Sequence, residues 1–164
     1  NQMEYTIESM ESFEVIGIGR VFSYDEAFNK IPSFWNEWKS KHHCLPEADL
    51  SKYNVGKYGI CIDEGTTGNE LLYLIAGDYN GNSIQEGFKA VKIPTLTWAK
   101  FICIGPMPES LQSLNTRIFN EWLPENEDYE IAAGYNIELY EKGDINDSNY
   151  KSEIWIPVKK RVEK

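Results

Sequence analysis

Histidine, cysteine and positive charge are all scarce in this chain, and each scarcity removes a class of function. The two histidines, His42 and His43, are adjacent. On a helix end they would point about 100° apart, so they cannot close on one metal ion, and a histidine-based triad has little to build from. Three cysteines, Cys44, Cys61 and Cys103, are an odd number without a CxxC pair, which argues against a disulfide framework or a zinc knuckle and reads as small buried hydrophobes. No P-loop, GxGxxG, GxSxG or HExxH is written, so neither metal nor cofactor is expected. No apolar run approaches the roughly 18 to 20 residues that span a bilayer, and no signal peptide is recognisable; the expectation is a soluble cytoplasmic protein without a membrane partner. Sixteen Lys and Arg stand against 26 Asp and Glu, a net charge of −10. That balance repels a phosphate backbone, so direct nucleic-acid contact is not expected; it serves solubility and permits cationic ligands.

Aromatic residues, by contrast, are plentiful, with ten Tyr and five Trp, and 41% of the chain is hydrophobic. At 164 residues this composition predicts one folded domain over 1–164. Two pentapeptides nearly repeat: FWNEW at 34–38 and IFNEW at 118–122. Around the first, Ile31, Phe34, Trp35 and Trp38 make one stripe of an amphipathic helix; around the second, Leu111, Leu114, Ile118, Phe119 and Trp122 do the same. Ser23 and Glu26 offer a capping box for a start near Tyr24, Pro32 would kink that helix or begin a new one, and Pro108 and Leu123-Pro124 bracket the other.

FEVIGIGRVF (13–22) and TWAKFICIG (97–105) precede the helices as strands, each containing an I-x-I-G step, Ile16 to Gly19 and Ile102 to Gly105. KYGICID (57–63) and LLYLIAG (71–77), joined by the EGTTGNE turn, follow the first helix; GYNIELY (134–140) and SEIWIPV (152–158) follow the second. The order strand, helix, strand, strand is thus written twice: half one over about 5–80, a connecting strand over about 86–94 from GFKAVKIP, half two over about 96–160. The expected fold class is α+β, a pseudo-two-fold duplication with antiparallel sheets and two main helices around a central ligand groove.

Period-two alternation in the last strand sets Ile154, Ile156 and Val158 on one face and Glu153, Trp155 and Pro157 on the other. If the isoleucines pack under the helices, Glu153 and Trp155 look toward the groove, with Tyr73 near Trp155's equivalent position and Tyr58 on the neighbouring strand. GYNIELY sends Glu138 and Tyr140 to one face. The expected ligand-binding residues are therefore Glu153, Trp155, Tyr73, Tyr58, Tyr140 and Trp122, and no catalytic residue is assigned. Aromatic walls with an acid suit a flat hydrophobic cation, cation–π contact contributing about 0.5 to 2 kcal/mol. Neutral aromatics fit the same walls.

FEVIGIGR, IPSFWNEW, YGICID, LYLIAG, IPTLTWAKF, IFNEWLP, IELY and SEIWIPV, in that order, resemble the GyrI-like small-molecule-binding domain, also called the AraC-type effector-binding domain. The resemblance covers nearly the whole chain and implies paired strand-helix-strand-strand modules around an aromatic pocket, with a last-strand glutamate facing lipophilic cations; the matching position here is Glu153. It implies an effector-binding domain of a bacterial transcription regulator, fused to a DNA-binding domain outside this segment, or a free-standing sensor. A start at N-Q-M-E-Y fits either a cut from a larger regulator or extra residues before Met3. Two alternatives stay open: a hydrolase of electrophilic small molecules, Glu153 activating water and Tyr140 or Trp122 positioning the substrate, and a gyrase-inhibitor-like interaction module using the acidic surface.

Overall fold

A computed structural model describes residues 3–42, 54–64 and 68–162. His43 and Cys44 lie outside the described residues, as do positions 65–67 of the EGTTGNE turn. Along the chain run β1 (Tyr5–Met10), β2 (Phe13–Ser23), α1 (Tyr24–His42), β3 (Tyr58–Ile62), β4 (Glu70–Asp78), β5 (Lys89–Ile93), β6 (Leu96–Ile104), α2 (Glu109–Arg117), β7 (Tyr129–Ile131), β8 (Tyr135–Tyr140) and β9 (Lys151–Lys160). α2 continues as a π-helical stretch, Ile118–Trp122, and a last α-helical turn, Leu123–Glu125. The expected α+β class holds, with antiparallel pairing throughout the described ladders.

The chain divides into two compact units, Ser12–Pro94 and Asn1–Glu11 with Thr95–Lys164. In the first, the strand order is β5, β2, β4, β3, and α1 packs on β2 and β4. Phe22, Phe34, Trp38, Leu71, Tyr73 and Ile75 fill the space between helix and strands. Glu70–Asp78 is nearly all apolar because it is a central strand buried on both faces. Pro32 sits inside α1 without ending it; the turn it would weaken lies against the largely exposed Phe28, where water can take the freed carbonyl.

In the second unit the order is β1, β6, β9, β8, and β7 pairs with the far end of β9. α2 packs on β6 and β9, and Phe101, Leu111, Leu114, Ile118, Ile154, Ile156 and Val158 form its core. Here the structure differs from the sequence halves. Tyr5–Met10 lies in the part of the chain assigned to half one, yet it pairs with β6, and residues 89–93 pair back onto β2. Strand partners far apart in sequence are chosen by non-local burial, which periodicity along one strand does not report.

The two pentapeptides present matching residues to their own strands: Phe34 and Trp38 are buried, and Ile118 is buried with Trp122 half-buried beside it. The I-x-I-G steps are not equivalent. Ile18 pairs with Ile75 and packs toward α1, whereas Ile102 pairs with Glu153 on the face turned from α2. Gly19 lies inside β2; Gly105 follows the end of β6 with φ +143°, a conformation glycine adopts freely.

Ile154, with no exposed surface, anchors the α2 core, so Ile154→Ala should lower unfolding free energy by about 2 to 5 kcal/mol. Ile104→Ala, at an exposed position, should change it by less than about 0.5 kcal/mol. Urea denaturation of the pair measures both.

Candidate functional site

Register places one row of side chains across the second unit on the α2 side of its strands: Tyr5 opposite Phe101, Phe101 opposite Ile154, Ile154 opposite Glu138. Adjacent strands are about 4.8 Å apart, so the row runs from an aromatic pair to a carboxyl over roughly 14 Å. Trp122 closes the aromatic end. Its ring centroid lies 4.9 Å from Phe101 and 5.2 Å from Tyr5, both edge-on, and Tyr5 and Phe101 are 5.1 Å apart. Trp122 ends the π-helical stretch, in which the Leu123 N–H donates to the Ile118 carbonyl, five residues back. Such wide turns recur at functional sites, and Pro124, lacking an N–H, follows directly.

At the other end of the row Tyr140 donates its hydroxyl to Glu138 Oε1 at 2.6 Å. The two residues are i, i+2 on β8 and therefore share a face. α2 packs on β6 and β9, so β8 is beside the helix footprint rather than beneath it. Glu138 and Tyr140 are accordingly only half-buried, yet the packing around the Glu138 carboxyl is dense: burial raises its pKa, and the Tyr140 hydroxyl pulls only part of the way back.

The opposite face of these strands is arranged otherwise. The Trp155 indole N–H donates to Glu153 Oε1 at 2.8 Å, and Lys100 Nζ stands 4.0 Å from the centroid of the Trp155 ring. Lys100 also reaches Glu8 at 3.4 Å, and Trp98 packs 6.3 Å from Trp155. The ring face that a ligand cation would use already holds an ammonium of the chain itself. Trp155 and Trp98 are buried.

In the first unit Tyr73 is buried under α1, where its hydroxyl accepts the Trp35 indole N–H at 2.8 Å. A Cβ at Gly59 would collide with that hydroxyl. Tyr58 faces the other way, opposite Ala76; it donates to Asp78 at 2.9 Å, and Lys57 pairs with the same carboxylate at 2.8 Å. Burial, and then the Asp78 carboxylate, push the Tyr58 phenol up to about 12.

A family profile described as Cass2, integron-associated effector binding protein, matches residues 6–158. The chain belongs to this family. Among solved structures, the Cass2-family chain is similar to SAV2435 bound to tetraphenylphosphonium (23% identity, 96% of this chain and 94% of that one, TM-score 0.82). It is also similar to a protein from Staphylococcus aureus MU50 (24%, 96% and 99%, 0.76) and to the C-terminal domain of EcmrR (15%, 97% and 99%, 0.60). These likenesses establish the fold. No curated protein sequence matches. The GyrI-like effector-binding assignment that the motifs implied is thereby shown.

For the Cass2-family chain, the six residues expected to line one wall are divided. Tyr140, on β8, and Trp122, on the continuation of α2, pack against the core between helix and strands; Glu153 and Trp155 lie on the reverse face of the strands; Tyr73 and Tyr58 occupy opposite faces of the first unit. Tyr73 therefore does not correspond to Trp155, since it faces its helix and Trp155 does not. Glu138 was placed beside Tyr140 by alternation but not chosen; the signal was the E-x-Y spacing, which sets a carboxylate and a hydroxyl within bonding reach. Tyr5 was missed because β1 carries no strong strand pattern, and Phe101, on the expected strand 97–105, because only its pairing with Tyr5 across the ladder brings the two rings together. The described part of the chain has no helix long and apolar enough to cross a membrane.

Folding raises the Glu138 pKa, so between the ordinary glutamate value and the raised one the folded state holds more protons than the unfolded chain. Stability contributed by this group is thus present at low pH and lost as pH rises through that window. Glu8 and Glu37, lowered by Thr6 and by Arg20 respectively, act in the opposite direction. The difference between wild type and Glu138→Gln isolates the one group: the variant should gain on the wild type as pH rises, read from urea midpoints at each pH. A difference independent of pH would contradict the environment described.

Proposed function

We propose that this chain is a small-molecule effector-binding domain, serving a bacterial transcription regulator or a free-standing sensor, and that its ligand is hydrophobic and aromatic, often cationic. The observation that carries the reading is Glu138, a carboxyl held by Tyr140 at the margin of α2, in one row with Phe101 and Tyr5 and with Trp122 over the aromatic end. Charge in such a site is expensive when unpaired and strongly attractive to a cation that shares the desolvated space. Aromatic rings add area, and their faces favour positive charge. Family membership supports the effector-binding role, and the tetraphenylphosphonium complex of SAV2435 supports the ligand class.

A sensor of this kind acts by binding one conformation more tightly than another, biasing a separate DNA-contacting segment. EcmrR, solved in a complex with DNA, offers a parallel: the match covers 58% of its chain. The acidic balance of this sequence suits a domain that leaves phosphate contact to another segment. Glu153 and Trp155, bonded to each other and capped by Lys100, serve the packing of the reverse face in this reading.

Tetraphenylphosphonium at about 100 times its dissociation constant should stabilise the protein by about 2.7 kcal/mol, a rise of several degrees in melting temperature. Glu138→Gln should lose most of that rise, and Glu153→Gln should keep it. The reverse pattern would move the site to the other face, and no rise in any of the three proteins would remove the cation reading.

A further inference from the structure

We propose that Arg161, just beyond the end of β9, is the positioning residue for Trp122: its guanidinium ties down the end of the α2 continuation and so fixes the aromatic end of the ligand row. The inference rests on the reading of that row as ligand-facing, but the placing of Trp122 is testable apart from it.

The stretch that carries Trp122 has little of its own to hold it. The π-helical residues Ile118–Trp122 give way to a last turn of three residues, Leu123–Glu125, far too short to be stable as a helix by itself. The Leu123 N–H reaches back to the Ile118 carbonyl, but Pro124 has no N–H to add to the ladder. At the exit the Asn126 N–H meets the Leu123 carbonyl at a long 3.4 Å. Carbonyls that end a helix need partners from outside it.

Arg161 supplies them. Its Nε–H donates to the Asn126 carbonyl at 2.7 Å, and Nη2 donates to the Leu123 carbonyl at 3.1 Å. A guanidinium suits this place, because its donors form a rigid fork and its charge favours the negative end of a helix dipole. The residue is itself held. Its backbone N–H donates to the Asp128 carbonyl at 2.8 Å, next to the ladder in which Tyr129 pairs with Lys160. The Asn126 side-chain carbonyl closes the turn between helix and β7 by accepting the N–H groups of Asp128 and Tyr129. β9 thus reaches the aromatic end of the row by two routes: across the strands, where Ile154 lies opposite Phe101, and through Arg161 to the residue that follows Trp122.

From the other side the Trp122 ring rests edge-on against Phe101 and Tyr5. Ring contacts contribute modestly and tolerate tilting, whereas a two-point tether at the next residue fixes the direction in which the tryptophan side chain leaves the backbone. A ligand that meets the row finds the ring already placed. Without the tether, part of the binding free energy goes into ordering that ring.

The test is Arg161→Ala, with Arg161→Lys beside it, read by fluorine NMR of protein carrying fluorotryptophan at all five tryptophans and by isothermal titration with tetraphenylphosphonium. Trp122→Phe assigns the Trp122 resonance. In Arg161→Ala that resonance should shift or broaden while those of Trp98 and Trp155 stay, and affinity should fall about three- to tenfold, the cost of ordering one large side chain on binding. Coulomb attraction predicts the opposite sign, since removing a positive charge favours a cation, so a loss reports geometry. Arg161→Lys keeps the charge and a donor but not the fork, and should fall between Arg161→Ala and wild type. Lys159→Ala, which removes an exposed charge from the same end of β9, should leave the Trp122 resonance in place and the affinity within about twofold.

A Trp122 resonance unmoved in Arg161→Ala would overturn the tether, and a moved resonance with unchanged affinity would overturn its part in binding. Equal effects from Lys159→Ala would make both effects of charge and overturn the proposal. If tetraphenylphosphonium binds none of these proteins, the function reading falls and the resonance alone decides the tether. A melting curve for each variant establishes that it is folded.

Discussion

The pairing of β8 against β9, with Ile137 opposite Trp155 and Glu138 opposite Ile154, decides which carboxylate of this chain is turned toward its helix. Side chains alternate with a period of two, so a slip of one residue would turn Glu138 and Tyr140 to the reverse face and bring Ile137 and Leu139 under α2. The register is held by burial on both faces: Ile137 and Ile154 are each without exposed surface. The hydroxyl-to-carboxyl bond, the half-buried acid and the aromatic row beside it all follow from that ladder.

Glu138 and Glu153 illustrate how one strand pair can give two carboxylates different work. Glu153 is met by the Trp155 indole N–H, with Lys100 over the same ring, so the face carries its own donor and its own cation. Glu138 accepts a hydrogen bond from a phenol and forms no ion pair among the described residues. Contact of an ammonium with an aromatic face contributes about 0.5 to 2 kcal/mol, modest beside the cost of an uncompensated buried charge. The contrast in countercharge, rather than any contrast in aromatic content, marks one acid as available.

The helix that covers this row is interrupted at the right place to shape it. α2 lies over β6 and β9 and leaves β8 at its margin, and the wide π-helical turn delivers Trp122 onto Phe101 and Tyr5 as the helix ends. The first pentapeptide runs through an ordinary α-helix. Similar letters thus present similar buried positions through different backbone geometry, whereas the I-x-I-G letters, repeated as faithfully, fall on non-corresponding faces.

From sequence alone came the elements, their order and the family. The helical stripes ending in Trp38 and Trp122, the alternation in 152–158 and the ordered motifs are local or nearly local signals, set by periodicities of 3.6 and 2. Alternation even grouped Glu138 with Tyr140 and Ile154 with Ile156 correctly. It could not say which face a helix of limited footprint would leave open, that Lys100 would lie over Trp155, or that Tyr5–Met10 would join β6. Those facts depend on contacts between residues distant in the chain, whose free energies come from shared burial and paired charge rather than from any stretch read by itself. The tertiary structure therefore turned Glu138 toward its helix and Glu153 away from it.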